Sequence, residues 1–218
     1  MSLQDTLQQA AAQLNVALTE RQQAQLLQYL ELLQKWNKVY NLTAVRDPQE
    51  MLKLHLLDCL AVMPLFGKEF ARIEAAHPGP RISLMDVGAG GGLPGVVLAV
   101  CFPQVQVTCV DAVAKKMAFV QQAALALALD NLKAVHSRVE LLSETYDIIT
   151  SRAFASLQDF TELTFDRLKD GGLWLAMKGK DPVDEVAQLP ASVEVFHVEQ
   201  VQVPGVDAQR CLIWLHKK

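Results

Sequence analysis

The sequence predicts an α/β fold, a single doubly wound and mostly parallel sheet preceded by a helical extension. Three observations predict it. From Arg81 onward, short apolar runs alternate with helical segments, which implies right-handed βαβ units and a sheet buried on both faces. The first of those runs ends in a cluster of glycines. Before Arg81 the apolar residues recur at helical spacing instead.

Composition narrows the class. At 218 residues, 51% of them hydrophobic, the chain suits one medium domain, or one domain with an appendage. No apolar run approaches the ~20 residues of a membrane span. The Gln-rich, polar N-terminus has no signal-peptide apolar region, so the cytoplasm is the expected compartment. Cys59, Cys101, Cys109 and Cys211 form no CxxC pair and no zinc-spaced cluster with histidine. They are expected as small buried hydrophobes, with no metal. The net charge is −4. That excludes a protein held to naked nucleic acid by general electrostatics; any such contact must use a local patch. Nothing points to an obligate dimer, and a monomer is expected.

The extension, residues 1–80, is expected to be helical. Leu3, Leu7, Ala10, Ala11 and Leu14 share one face. Thr19 with Gln22 forms a capping-box signal ahead of the stripe Leu26, Leu27, Leu30, Leu33, Trp36 and Tyr40. Asn41-Leu42-Thr43 breaks that pattern. Asp47-Pro48-Gln49-Glu50 starts another helix, with Asp at the N-cap and Pro at the first helical position. Trp36, Tyr40 and the leucines are expected in the core. His55 and Asp58, three residues apart on that next helix, are expected to pair as a structural His–Asp couple. His77-Pro78-Gly79-Pro80 reads as a linker, making 81–218 the second unit.

Within that unit, strands are expected over 82–87, 105–110, 134–136, 146–150 and 173–177. Helices are expected over 94–101, 115–129 and 157–168. Two further strands, 193–203 and 211–215, are separated by too few residues for a helical crossover and should pair antiparallel. Five parallel strands closed by an antiparallel hairpin is the arrangement of Rossmann-like class I methyltransferases; dinucleotide dehydrogenases have six parallel strands.

The chemistry is concentrated at Asp86-Val87-Gly88-Ala89-Gly90-Gly91-Gly92-Leu93-Pro94-Gly95, after a strand and before a helix. Glycines such as Gly88 and Gly90 let the backbone turn sharply against a ligand. The run also satisfies GxGxxG, so a nucleotide diphosphate is an alternative occupant. Pro94 removes a donor such a site wants, and the Asp86 carboxylate would repel the diphosphate while suiting the cationic amino-acid end of S-adenosyl-L-methionine. Asp111 ends the second strand, 23 residues beyond Gly88, spaced to accept a ribose diol from either ligand. A nicotinamide-dependent oxidoreductase and a non-catalytic RNA-binding protein therefore stand as alternatives to a methyltransferase.

Six segments in order then resemble a known family: Trp36 to Thr43, His55-Leu56-Leu57-Asp58, Asp86 to Gly95, Ser137-Arg138-Val139-Glu140, Ser151-Arg152-Ala153-Phe154 and Met177-Lys178-Gly179. Together they resemble the RsmG (GidB) family, bacterial small-subunit rRNA guanine-N7 methyltransferases, over nearly the whole chain from about Leu26. The resemblance implies that Gly88 and Leu93 line the methionine side of S-adenosyl-L-methionine, Asp111 holds its ribose, Val139 and Glu140 frame its adenine, and Arg152 closes the pocket. It implies methylation of N7 of one guanine in 16S rRNA of the small ribosomal subunit. Gly91 departs from the family, which usually has Pro or Ala there. Guanine N7 carries a lone pair and no proton, so no general base and no catalytic residue in that sense are expected. Arg138, Arg152 and Lys178, at strand ends on the carboxyl edge, are expected to position the RNA, with Lys115 and Lys116 beside the ribose acid. His55 and Asn41 could instead shape the mouth of a guanine pocket.

Overall fold

The computed structural model describes residues 2–152, 154, 156–180 and 182–218; Ala153 of the Ser151-to-Phe154 motif lies outside them. Seven strands form one sheet in the order β3-β2-β1-β4-β5-β7-β6. They are β1 (Ser83–Val87), β2 (Gln106–Asp111), β3 (Leu132–His136), β4 (Tyr146–Arg152), β5 (Leu168–Lys178), β6 (Val193–Val203) and β7 (Val206–Lys217). The first five are parallel, and β7 runs antiparallel to both β5 and β6. The expected class I methyltransferase arrangement, five parallel strands and a closing hairpin, is the observed one. Strand order reverses between β1 and β4, the switch point beside which α/β proteins bind ligands.

The extension contributes α1 (Leu3–Gln13), α2 (Glu20–Tyr40), α3 (Pro48–Met51), α4 (Asp58–Leu60) and α5 (Met63–Ala76). Ser2, Thr19 and Asp47 cap the first three by accepting a backbone N–H three residues on. Between α3 and α4 the chain widens into a π-helical stretch, Leu52–Leu57, which the apolar periodicity did not predict. Such stretches recur at functional sites, and this one carries His55.

Two cores flank the sheet. Leu7, Leu26, Tyr29, Leu30, Leu33 and Leu56 of the extension pack with Leu84, Val107, Ile148, Leu175 and Leu212 of the sheet, and with α6 (Gly95–Cys101) and α7 (Ala114–Ala126). The opposite face packs Met85, Val110, Ile149, Trp174 and Ile213 on Leu157 and Phe160 of α8 (Leu157–Thr164). A short α9 (Val183–Val186) follows β5. The extension thus covers one face of the sheet within a single continuous core. Tyr40 departs from expectation: it is exposed, stacked 5.2 Å from the half-buried Trp36 at the end of α2. Cys59, Cys109 and Cys211 are buried and Cys101 is half-buried.

Element ends differ where side chains compete with the backbone. The helix expected to reach 168 tightens after Thr164 into a 3₁₀ turn, Phe165–Arg167; the Thr164 hydroxyl donates to the Phe160 carbonyl (2.5 Å) and accepts from Trp174 Nε1 (2.8 Å). Leu168 already pairs with Tyr146 as the start of β5. The hairpin is longer than expected because Pro204 and Gly205 alone make the turn. Gly205 has φ +73°, and Val203 pairs directly with Val206.

Candidate functional site

The glycine turn runs from the end of β1 into α6, and its residues divide by the side they present. Gly88 (φ +66°) is exposed, and a Cβ there would meet only the Phe154 ring at 3.5 Å. A Cβ at Gly90 (φ +59°) would meet only the Gly88 carbonyl oxygen, at 3.9 Å. Gly95 faces inward: a Cβ there would lie 2.3 Å from Cys109 Sγ and 2.9 Å from Asp86 Oδ2. Leu93 is also turned inward, buried in the core under the extension, and its bond to Pro94 is cis. The turn's outer surface is therefore bare backbone held up by a packed underside.

Its amides are largely spent. Ala89 donates to the Val110 carbonyl, Gly90 to Asp111 Oδ2, Gly92 and Leu93 to the Ala89 carbonyl, Gly95 to Asp86 Oδ2 and Val96 to the Gly92 carbonyl. Pro94 has no N–H. A diphosphate needs several converging donors, and these six are already committed within the turn.

Two carboxylates frame the turn, as expected. Asp86 is fully enclosed; one oxygen accepts from Gly95 N at 2.8 Å, and Oδ1 has no partner among the described residues. Burial pushes its carboxyl up to about 7. Asp111 is buried and ties two loops together: Oδ2 accepts from Gly90 N (3.0 Å) and Lys116 Nζ (3.2 Å), and Oδ1 from Val113 N (2.9 Å). Each carboxylate oxygen can accept more than one hydrogen bond, which leaves capacity for a diol. Beside Asp111 lies the 3₁₀ turn Val139–Leu141, with Val139 buried and Glu140 exposed. Ser137 N donates to the Asp111 carbonyl at 3.3 Å, which holds this turn against β2. Gly88, Gly90, Asp111, Val139 and Glu140 are thus brought to one stretch of the carboxyl edge, with the Asp86 side chain beneath it. The unpaired Asp86 oxygen and the open surface at Gly90 fit a cationic, sugar-bearing ligand such as S-adenosyl-L-methionine.

The three expected RNA-positioning cations separate. Arg138 is exposed, as is Lys115. Arg152 is half-buried; its Nη1 donates to the Leu54 carbonyl (2.9 Å) and to Asp58 Oδ2 (3.1 Å). Lys178 donates to Glu185 Oε2 (2.8 Å) and the Phe154 carbonyl (3.3 Å). These two are internal ion-pair partners and not free cations of a rim. The His55–Asp58 couple also does not form. Asp58 instead takes Arg152 on one oxygen and Arg210 Nε on the other at 2.6 Å, and His55 Nε2 lies 2.9 Å from Thr43 Oγ1. Opposite charge at two guanidiniums is a stronger claim on a buried carboxylate than a neutral imidazole. Burial, then the Arg152 guanidinium, lowers the proton affinity of His55.

Arg152, Arg210, His55, Asp58 and Met177 line a cavity of about 320 Å³ between the extension and the ends of β4, β5 and β7. Tyr29 and Arg210 had no sequence signal of this role, and Phe154 stood in its motif without one. Tyr29 donates its hydroxyl to the Gly91 carbonyl (2.7 Å), tying α2 to the glycine turn. Phe154 packs its ring on Gly88. Arg210 reaches Asp58 across 152 positions.

A family model described as rRNA small subunit methyltransferase G (GidB) matches residues 22–213. The chain belongs to that family. A ribosomal RNA small subunit methyltransferase G of Acidovorax sp. (strain JS42) is 57% identical over 98% of this chain and 95% of its own length. That of Polaromonas sp. is 56% identical over 94% and 89% respectively. Among solved structures, TrmN from Thermus thermophilus superposes with a TM-score of 0.55 at 18% identity, covering 77% of this chain and 53% of that one. A ribosomal protein L11 methylase from Lactobacillus delbrueckii subsp. bulgaricus gives 0.51 at 15% identity, covering 79% and 80%. At such identities these two share the fold alone.

Proposed function

We infer that this protein transfers a methyl group from S-adenosyl-L-methionine to N7 of one guanine in 16S rRNA of the small ribosomal subunit. The observation that carries the reading is the glycine turn at the β1–β4 switch point, set between Asp86 and Asp111, with its own amides consumed. A pyrophosphate would find few donors there and a carboxylate beneath it. A sulfonium amino acid finds a partner for its ammonium and an acid for its ribose. When bound, S-adenosyl-L-methionine supplies a methyl activated by sulfur, whose departure leaves the bonding pair on sulfur and a positive charge on the guanine.

The protein's part is placement. Asp86 would offer its unpaired oxygen to the ammonium, Asp111 the ribose contacts, and Val139 with Glu140 the adenine edge. Gly88 shapes the methionine end, with Leu93 packed beneath it, and Arg152 closes the far side through its bond to Asp58. Since N7 has no proton to lose, no base is required, and positioning alone can contribute several kcal/mol to the lowering of the barrier. Of the cations expected at the RNA, Arg138 and Lys115 are the exposed ones. No helix among the described residues is long and apolar enough to cross a membrane. Action as a monomer in the cytoplasm accompanies this reading.

The test is transfer of labelled methyl from the cofactor to small subunits lacking the modification, with the labelled base mapped. One labelled guanine, with the methyl on N7, is the expected result. Label on another atom, or none, would refute it.

A further inference from the structure

The cavity beside Arg152 is left without an occupant by the cofactor site. At about 320 Å³ it falls in the range of small-ligand pockets, roughly 300–1,000 Å³. Its position follows from register. Asp86 pairs with Thr150 on β4; Gly88 follows the end of β1, and Arg152 ends β4 two residues beyond Thr150. The Arg152 end of the cavity therefore adjoins the turn that presents the cofactor's methionine side, while Met177 and Val201 supply apolar wall.

Most polar groups lining the cavity are already paired. Asp58 holds two guanidiniums, and Lys178 holds Glu185. His55 differs. It is 7% exposed, and Nδ1 is enclosed with no partner at full hydrogen-bond geometry among the described residues, the Leu54 backbone lying beside the ring. A buried polar atom left so is destabilising, and native proteins rarely leave one. Thr43 Oγ1 accepts from Val45 N (3.2 Å) and faces His55 Nε2 at 2.9 Å, where its hydroxyl can either donate to the ring or accept from it. With the hydroxyl proton given to Nε2, the neutral ring carries its own on Nδ1.

We propose that this cavity receives the acceptor guanine turned out of the RNA, and that His55 Nδ1–H reads its O6. The assignment deepens the functional reading above and rests on it. O6 and N7 share one edge of guanine, so a donor on O6 aligns the base while leaving the N7 lone pair free. Adenine carries an amino group at that place, which would set two donors against each other. A site that buries a donor for one substrate group rejects the analogue lacking it far better than an apolar pocket can. A neutral imidazole also suits the product, because an imidazolium would oppose the charge the guanine acquires. Extrusion of the base is least costly for a loop nucleotide already unstacked. His55 is thus a specificity residue that transfers no proton.

The experiment uses small subunits reconstituted on 16S rRNA bearing guanine, inosine or 2-aminopurine at the mapped position. Inosine keeps O6 and 2-aminopurine lacks it. Wild type should methylate guanine and inosine within about threefold of each other, and 2-aminopurine about tenfold or more slowly, the loss of roughly one buried hydrogen bond. In His55→Ala the guanine rate should fall to that of 2-aminopurine, whose own rate falls no further. Comparing the ratio across the two proteins cancels intrinsic differences in N7 reactivity. His55→Gln, which keeps an N–H donor, should restore part of the discrimination, and calorimetric binding of S-adenosyl-L-methionine confirms that each variant is folded. Equal proportional losses on guanine and 2-aminopurine would overturn the assignment, as would wild-type indifference to O6. No transfer by wild type to any of the three would instead overturn the functional reading on which it rests.

Discussion

Asp58 and Arg210 stand 152 positions apart in the chain, yet Arg210 Nε lies 2.6 Å from Asp58 Oδ1. The contact locks the last strand to the helical extension, and Arg152 on the other oxygen locks both to the end of β4. Asp58 is 6% exposed at its side chain and the arginines 22% and 24%. Removing the carboxylate would leave two cations facing each other with little water. Asp58→Ala should therefore destabilise the protein by about 3 kcal/mol in urea unfolding, the scale on which breaking a buried ion pair acts. Adding Arg210→Met to that variant should recover part of the loss. A single variant as stable as wild type would show that the triad carries no such cost.

Asp86 makes the free protein's stability depend on pH. Its carboxyl is raised by burial from 3.8 to about 7. Between those values the folded protein holds a proton that the unfolded chain has released. Stability contributed by this group is therefore full below about pH 4 and is lost as pH rises toward 7, by up to about 4 kcal/mol. Asp86→Asn is neutral throughout and can still accept from Gly95 N. It should flatten this slope and exceed wild type in stability above pH 7, as measured by denaturation across pH. Its affinity for S-adenosyl-L-methionine should move the other way, about tenfold weaker or more at pH 7.5. If the variant kept both the wild-type pH slope and its affinity, Asp86 would have no part in either.

Much of this architecture was legible because it is periodic. Strand after strand announced itself as an apolar run buried on both faces, and Thr19 with Gln22 and Asp47 with Pro48 marked helix starts that the caps reproduce. The acids at 86 and 111 were legible because a strand end fixes where a side chain emerges. What local pattern could not supply is which partner wins. Asp58 lies within reach of His55 by helical spacing, but the winning partners arrive from β4 and β7. Lys178 read as a rim cation because nothing local reveals that Glu185 folds back onto it. The π-helical stretch escaped because its apolar residues fit an α-helical stripe equally well.

Two glycines in one turn should respond oppositely to alanine. Gly95→Ala places a methyl 2.3 Å from Cys109 Sγ, an overlap that costs typically 1–3 kcal/mol. Because Asp86 Oδ2 lies on the same side, cofactor binding should weaken as well. The double variant with Cys109→Ala should regain most of the stability. At Gly91 the nearest atoms are Leu33 Cδ1 at 3.5 Å and Tyr29 Oη at 3.6 Å, ordinary contact distances. Gly91→Ala should stabilise by about 0.5–1 kcal/mol through lost freedom in the unfolded chain. Thermal denaturation of the three proteins settles the ordering; a destabilised Gly91→Ala would mean that the turn needs its freedom.

Tyr29 tests whether the extension supports the cofactor site. Its buried hydroxyl is 2.7 Å from the Gly91 carbonyl. Tyr29→Phe keeps the ring's packing on Phe119, 5.9 Å away between centroids, and removes only the bond. The half-buried Gly91 carbonyl loses its partner, a cost of about 1 kcal/mol. Cofactor affinity should fall several-fold while the fold is retained, as read by titration calorimetry. Unchanged affinity would confine α2 to a covering role.

Arg138 is exposed where Arg152 and Lys178, the other two strand-end cations, are paired. A guanidinium that neutralises one phosphate releases about one counterion. Arg138→Ala should therefore weaken binding to small subunits and lower the slope of log affinity against log salt by about 1, with cofactor affinity unaltered. Lys178→Ala should act differently, because that lysine holds the Phe154 carbonyl and Glu185. Its loss should loosen Phe154 from Gly88 and weaken the cofactor while leaving the salt slope in place. A shared slope change for both variants would return Lys178 to the RNA surface, and no change for Arg138 would remove it.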